Sequence, residues 1–461
     1  MLKRYIGDRA FYRHVSAVAI PIIVQNAIST FVSLLDNIMV GQLGTMQMSG
    51  VSIVNNLLFI FNLCVFGGCA GAGIFTAQFH GSGDSAGVRH TFRFKLLLCA
   101  VLAALGIGIF FWGGDALIGL YLQGDGDPEA AAQALGYGRS YLKIMLAGLL
   151  PFALSNTYAS TLRECGQTKV PMVSGIAAVT VNLVLNYILI FGHLGAPAMG
   201  VRGAALATVI SRFVELAIVA GWTHLHPQRC PFIKDAYRSL RIPGGLLWSI
   251  LIKGSPLLIN EMLWSMGMAF LNQCYSTCGL DVVPAINITT VIYDLSCVVF
   301  HALGNVVGII IGQMLGANRS KEELWDTNRK LTALSIAAGT FFALLMIAFS
   351  GMFPQIYNTT DSVRQLATQL IIVCACIMPL QAYIFPVYFT MRAGGKTIIT
   401  FLFDCGSIWL VSIPLAFCLS RLTDIPIVPL YALCNSLDLL KCFIGYFILR
   451  KGTWIQNLTV K

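Results

Sequence analysis

Twelve apolar stretches, each long enough to cross a lipid bilayer as a helix, dominate this sequence. A membrane-spanning helix needs about 20 mostly apolar residues. The stretches lie at residues 14–38, 50–76, 94–118, 138–160, 170–192, 200–222, 247–272, 283–313, 331–352, 366–390, 396–419 and 427–449. Because lipid offers no hydrogen-bond partner to an open strand edge, the spanning elements should be helices. The sequence therefore predicts an all-α polytopic membrane protein with twelve transmembrane helices.

The composition excludes a soluble protein and gives no sign of a disulfide framework. Charged residues make up 11% of the chain, whereas soluble domains carry about 25%. The 14 cysteines are scattered, mostly within apolar stretches, which is typical of small buried side chains. Cys274 and Cys278 come closest to a metal-binding spacing, but no histidine or second cysteine pair accompanies them. We therefore expect no metal centre and no cofactor.

Basic residues are concentrated on one side of the predicted bundle. They occupy the N-terminal segment and the connections after even-numbered stretches, for example Arg89, Arg163, Arg238, Arg319 and Arg392. The other side holds Arg139, Lys143, Arg202, Arg212, Arg364 and Arg421. Since cytoplasmic loops carry an excess of lysine and arginine, we expect a multi-pass protein of the cell membrane with both termini in the cytoplasm. Topology then accounts for the net charge of +10 without a nucleic-acid partner.

The chain also repeats itself. A shift of 235 residues pairs Pro21 with Pro256, Gln78 with Gln313 and Gly81 with Gly316, and a shift of 229 pairs Arg163 with Arg392. Six stretches separate the copies, and because six is even the repeats are parallel. We expect two pseudo-symmetric six-helix bundles, residues 1–222 and 247–461, joined by a cytoplasmic linker at 223–246. In transporters of this architecture the substrate site lies between the halves.

No motif for ATP hydrolysis or for other catalysis is present. GGKT at 394–397 supplies the end of a Walker A motif, but Thr390 stands where its first glycine is required. GDSAG at 83–87 fits G-x-S-x-G, but an apolar helix precedes it where a nucleophile elbow needs a strand. We therefore expect a carrier driven by an ion gradient and not an enzyme.

Asp36 is a carboxylate inside the first apolar stretch. It continues a polar face formed by Gln25, Ser29 and Ser33 at helical spacing, which predicts a helix side turned toward a cavity. The alternative is that Asp36 caps the loop that follows it. The fifth stretch carries Asn182 and Asn186 four residues apart, and such asparagines either line a site or join helices.

Acids and amides also lie within the stretches of the second half. Glu261 is in the seventh stretch, Asn287 and Asp294 share a helical face of the eighth, and Asp404 is in the eleventh. Two acids on adjacent helices can share a cation or a proton, so we expect Glu261 and Asp294 to form a second polar site, with Asn287 and Asp404 as further polar residues of the cavity. The alternative is a purely structural role.

Several segments together resemble one transporter family. FVSLLDNIMVGQLG (31–44), GQTKVP (166–171), the segment 181–208 and VVGIIIGQMLGAN (306–318) are similar to sequences of the multidrug and toxic compound extrusion (MATE) family. The resemblance covers almost the whole chain. It implies twelve helices in two bundles and export of small molecules coupled to inward H⁺ or Na⁺.

The resemblance also implies roles for individual residues. Asp36 matches the family's ion-binding acid and could carry a proton or offer oxygen ligands to Na⁺. Pro21 matches a proline associated with bending of the first helix, and Asn182 matches a polar neighbour of the acid. Asn186 departs from the pattern, because many members carry aspartate there. We expect Asp36, Asn182 and Asn186 to form the ion-coupling site. We expect the protein to be a monomer in the lipid bilayer and to export amphiphilic, cationic molecules.

Other carriers remain alternatives at this point. A flippase for lipid-linked precursors, from the same broader superfamily, would be expected to carry several buried cations, whereas Lys441 is the one that the sequence clearly indicates. A major-facilitator carrier and an intramembrane enzyme are further alternatives. The residues do not choose between H⁺ and Na⁺.

Overall fold

The computed structural model of the protein describes residues 5–122, 128–423 and 425–459. Lys3, Arg4, Lys461 and most of the GDGDPE loop at 124–129 lie outside them, as does the side chain of Ser33. Within these ranges the chain forms twelve long helices and no strand. They are α1 Arg9–Gly41, α2 Thr45–Gly81, α3 Ser85–Tyr121, α4 Pro128–Glu164, α5 Lys169–Phe191, α6 Val201–Leu225, α7 Gly244–Ser276, α8 Val282–Gly316, α9 Lys321–Phe349, α10 Asp361–Ala393, α11 Thr397–Leu422 and α12 Ile427–Arg450.

The predicted all-α membrane architecture is confirmed. Each predicted stretch corresponds to one helix, and eleven helices of the described chain are long and apolar enough to cross a membrane. The remaining helix, α4, is less apolar because its first half carries Glu129, Arg139 and Lys143.

Several helices extend well beyond the predicted stretches. α2 and α3 have 37 residues each, which corresponds to about 55 Å at 1.5 Å per residue. Consequently Arg89 and Arg93, which precede the predicted third stretch, and Lys95, which is its second residue, all lie in the first turns of α3. Lys95 is fully buried, with its Nζ 2.5 Å from Glu164 of α4. The interpretation of Lys441 as the one clear buried cation was therefore wrong.

The chain forms two compact units. Unit 1 contains residues 1–23, 77–84 and 251–461, and unit 2 contains residues 24–76 and 85–250. α1 passes from unit 1 to unit 2 two residues after Pro21, and the last turn of α2 belongs to unit 1. The bundle boundaries at 222 and 247 and the bend at Pro21 stay predictions.

The segment between α6 and α7 is folded against α3 within unit 2. Arg93 of α3, which is buried, donates to the main-chain oxygens of Asp235, Ala236 and Arg241 at 2.6, 2.8 and 3.3 Å. Buried apolar side chains of the segment include Cys230, Phe232, Ile233 and Ala236. The expected linker is therefore a docked element.

Candidate ion-coupling site

Asp36 of α1 is bound by an amide of α5 in unit 2. Asn186 Nδ2 donates to Asp36 Oδ1 at 2.7 Å. Asn182 lies one turn earlier on α5, and its side-chain amide is 2.9 Å from both oxygens of Asp36. The structure thus brings together the three residues that the sequence assigned to ion coupling. Because its partner lies on α5, the geometry disfavours the interpretation of Asp36 as a cap for the next loop.

The hydrogen bonds of the site define the orientation of its amides. With its nitrogen toward Asp36, Asn182 accepts from the hydroxyl of Thr208 on α6 at 3.2 Å, so both ends of the amide are satisfied. Asn186 Oδ1 is buried and has no hydrogen-bond partner within the described part of the chain. A buried oxygen without a partner is costly. Beside a carboxylate, it is an available ligand for a small cation or for a proton donor.

The sequence interpretation missed three residues that belong to this site through Asp36 or its partner Asn182. Tyr141 of α4 is buried near Asp36 and donates to Asn55 Oδ1 of α2 at 3.3 Å. Thr208 lies on α6, as does Arg212, a charged neighbour of Asp36. The sequence did contain a signal for these two residues, because Arg212 lies inside an apolar stretch and follows Thr208 by four residues.

Arg212 was predicted to be an external basic residue, and this was wrong. It lies in the middle of α6, because this helix runs from Val201 to Leu225. Its guanidinium is 3.3 Å from Glu215 and 4.9 Å from the ring centroid of Phe152. These contacts satisfy an arginine that lies within a membrane-spanning helix.

A second polar cluster lies in unit 1. Buried Asn260 of α7 donates to Asp404 Oδ2 of α11 at 2.9 Å and to Tyr388 Oη of α10 at 3.4 Å. The charged neighbours of Glu261 are Arg392 and Asp404. Asp404 lies in a π-helical segment, Leu402–Gly406, and π-bulges are frequent at functional sites. As at the first site, one amide oxygen, Asn260 Oδ1, is buried without a partner among the described residues.

The predicted pair of Glu261 and Asp294 is not formed. Asp294 and Asn287 lie on an exposed face of α8, whereas Glu261 neighbours α10 and α11 through Arg392 and Asp404. Sequence spacing gave the polar face of α8 but not the direction in which that face turns.

Each unit contains an amide and an arginine at positions that the internal repeat makes equivalent. In unit 2, Arg163 Nη1 donates to Gln25 Oε1 at 3.5 Å. The shifts of 235 and 229 residues map Gln25 onto Asn260 and Arg163 onto Arg392. They map Glu261 and Asp404 onto the uncharged residues Asn26 and Gly175, so these two acids have no counterpart at the equivalent positions of unit 2, where the acids near Arg163 are Glu164 and Glu215.

The sequence matches known proteins over most of its length. The family model described as MatE matches residues 21–188 and 256–418, and these segments begin at the equivalent prolines Pro21 and Pro256. The probable multidrug resistance protein NorM of Thermotoga maritima is 24% identical, covering 87% of this chain and 83% of the relative. The probable multidrug resistance protein YoeA of Bacillus subtilis is 26% identical, covering 90% and 88%.

Solved structures match the fold. A MATE protein in complex with MaL6 superposes with a TM-score of 0.86 at 18% identity, covering 98% of both chains. A MOP superfamily transporter from Pyrococcus furiosus, for which a binding pocket of reverse polarity suggests a different function, superposes with a TM-score of 0.84 at 18% identity, covering 98% and 97%. At this identity the likeness concerns the fold alone.

Proposed function

Because the chain belongs to the multidrug and toxic compound extrusion family, it is a transporter and not an enzyme, and we propose that it exports amphiphilic, cationic small molecules in exchange for H⁺ or Na⁺. The relatives named as multidrug resistance proteins support drug export. We further propose that both termini lie in the cytoplasm, on the basis of the one-sided distribution of lysine and arginine.

The observation that carries ion coupling is the environment of Asp36. Its carboxylate is held by neutral amides, and the buried Asn186 Oδ1 beside it lacks a partner. Carboxylate and amide oxygens suit a proton or a hard cation such as Na⁺. An ion bound here neutralises Asp36 and so changes its interaction with Arg212 of α6.

Exchange follows if ion binding and substrate binding favour different arrangements of the helices. The ion then lowers the affinity for substrate, and by linkage the substrate lowers the affinity for the ion to the same degree. Inward movement of the ion can thereby drive outward movement of the substrate. Asn182, Asn186 and Thr208 would position the carboxylate, and Tyr141 would close the site toward α2.

Lipid-linked precursors are a weaker candidate substrate class. A pyrophosphate headgroup needs cations that are available to it, but Lys95 is paired with Glu164 and Lys441 lies 3.8 Å from Asp438. These ion pairs explain how the bundle tolerates buried lysines without a lipid ligand.

The proposal is tested with purified protein in liposomes. Ethidium accumulation is measured under an imposed pH gradient, an imposed Na⁺ gradient, or neither, with an ionophore that collapses each gradient as the control. We expect uphill ethidium transport with one of the two gradients, and that gradient identifies the coupling ion. Accumulation that is equal under all three conditions would contradict ion-coupled export.

A further inference from the structure

The last turns of α2 and α8 contact each other reciprocally within unit 1. A side chain on Gly81 would overlap the main-chain carbonyl of Gln313, and one on Gly316 would overlap the carbonyl of Gln78. Gln78 and Gln313, like Gly81 and Gly316, are equivalent under the shift of 235 residues. This is the pattern of a self-complementary contact across a two-fold axis. Glycine at both positions allows the two backbones to approach closely.

The segment after α12 is bound to this contact through Gln78. The side chain of Gln78 is fully buried, and its Nε2 donates to the main-chain oxygens of Ala393 at 2.8 Å and Gln456 at 3.2 Å. Its Oε1 accepts from the main-chain N–H of Leu458 at 2.6 Å. A single side chain of α2 thus binds both the end of α10 and the C-terminal segment.

Two further anchors hold the same segment. Asn457 Nδ2 donates to Asn318 Oδ1 at 2.8 Å and to the carbonyl of Gly316 at 3.4 Å. Trp454 is fully buried, packs edge-on against Trp325 of α9 and donates to the carbonyl of Leu449 at 3.1 Å. Residues 454–458 are therefore a packed strap across the ends of α2, α8 and α10.

We propose that residues 454–458 are a latch that keeps the end of α2 closed against α8. Gln78 is the residue of α2 to which this latch is bound. This rests on the proposed export from the cytoplasm, because the latch lies at the end of the bundle that carries the basic connections. An alternating-access exporter must open its cytoplasmic end to load substrate. The reciprocal glycine contact has to separate in that step, and the strap has to release Gln78 before it can separate.

The first test measures the latch without any substrate. Hydrogen–deuterium exchange of peptides covering 77–84 and 452–459 is compared in nanodiscs for the wild type, Gln78→Ala and Asn457→Ala. We expect exchange in both peptides to rise at least tenfold in the variants. Ser82→Ala is the matched control, because its hydroxyl donates to the carbonyl of Phe79 at the same helix end, and its exchange should equal that of the wild type. Asn457→Ala removes the contacts that the half-buried Asn457 makes with Gly316 and Asn318. Because it leaves the buried Gln78 in place, this variant replaces Gln78→Ala as the test if Gln78→Ala misfolds.

The second test separates a latch from a merely structural contact. Apparent affinity scales with the fraction of protein in the binding-competent state. Releasing a latch that favours the closed end should therefore lower the KM for ethidium at the cytoplasmic side, by threefold or more, whereas structural damage should lower the maximal rate alone.

The outcomes of the two tests are distinct. Faster exchange together with a lower KM in Gln78→Ala or Asn457→Ala supports the latch. Unchanged exchange, or a KM that stays constant or rises in folded variants, overturns it. If the wild type transports no ethidium under either gradient, the proposed function fails instead, and the exchange measurement alone decides on the latch.

Discussion

Asp36 and Glu164 are both acids within unit 2. Because they have different kinds of partner, we assign them different roles. Glu164 lies 2.5 Å from the ammonium of fully buried Lys95, so its charge is cancelled by a fixed cation. Asp36 is held mainly by the amides of Asn182 and Asn186, which satisfy its oxygens without cancelling its charge. An acid held by neutral donors can exchange a cation, whereas an acid in a buried ion pair stabilises the bundle.

Asp36→Asn should uncouple transport without unfolding the protein. The amide keeps the shape and is cheaper to bury than a carboxylate, so folded yield should match that of the wild type. Ethidium binding can persist, but gradient-driven accumulation should be lost and binding should no longer depend on pH or on Na⁺. Asp115→Asn, which removes an acid from an exposed ion pair with Arg139, is the control and should transport normally. Full coupled transport by Asp36→Asn would remove the central claim.

The acids of unit 1 can be assigned by a double-variant comparison. Because Glu261 neighbours Asp404, the effects of Glu261→Gln and Asp404→Asn on ethidium transport should be non-additive, with a coupling energy of about 0.5–3 kcal/mol. Asp294 lies on the exposed face of α8, so Asp294→Asn should add independently to Glu261→Gln, within about 0.5 kcal/mol. The reverse result would restore the pair expected from sequence spacing.

At the scale of helices and connections, hydropathy predicts the parts of the helices that lie in lipid. It predicts little about the helical turns that extend beyond the lipid. Each apolar stretch corresponds to a helix because the bilayer requires its backbone to be hydrogen-bonded internally. Outside the hydrocarbon region charged residues are tolerated, so the sequence did not reveal that α3 begins at Ser85 or that Lys95 is buried. The position of Arg212 beside Asp36 depends on how α6 is rotated against α1, and a single sequence carries no record of that rotation.

The docked linker gives a pH-dependent prediction. Burial raises the pKa of the Cys230 thiol from an ordinary 9.0 to about 11. The thiolate is the reactive form, so at pH 8 the buried thiol should react about a hundredfold more slowly with N-ethylmaleimide than an unshifted one, with the rate rising tenfold per pH unit up to about pH 11. Arg93→Ala removes three hydrogen bonds to the main chain of the linker, and should restore fast labelling of Cys230.

Labelling at Cys230 is read by peptide mass spectrometry, because the chain has 14 cysteines. Arg238→Ala removes an exposed arginine from the same linker, and its labelling rate should stay at the wild-type value. Equal rates in Arg93→Ala and the wild type would show that Arg93 does not hold the linker in place.

At the scale of the whole molecule, the repeats share one helical plan and differ in the placement of their acids. Unit 2 has Asp36 near the end of α1, whereas unit 1 has Glu261 and Asp404 beside Arg392. The internal repeat could be predicted from the sequence because glycine, proline and arginine recur at a fixed shift. The identity of the coupling ion could not be predicted, because a proton and Na⁺ use the same carboxylate and amide oxygens.

The orientation of the whole bundle is the last prediction. Basic residues follow the even-numbered helices and dominate one end, and the positive-inside rule places that end in the cytoplasm. A reporter fused after Leu225, the last residue of α6, should therefore read cytoplasmic. One inserted within 122–130, after three helices, should read external, and since part of this loop lies outside the described residues, that position tests the charge pattern alone. Both fusions must still transport ethidium, so that a misinserted protein is not scored. Readings on the opposite sides would invert the topology, and the latch would then lie at the external end.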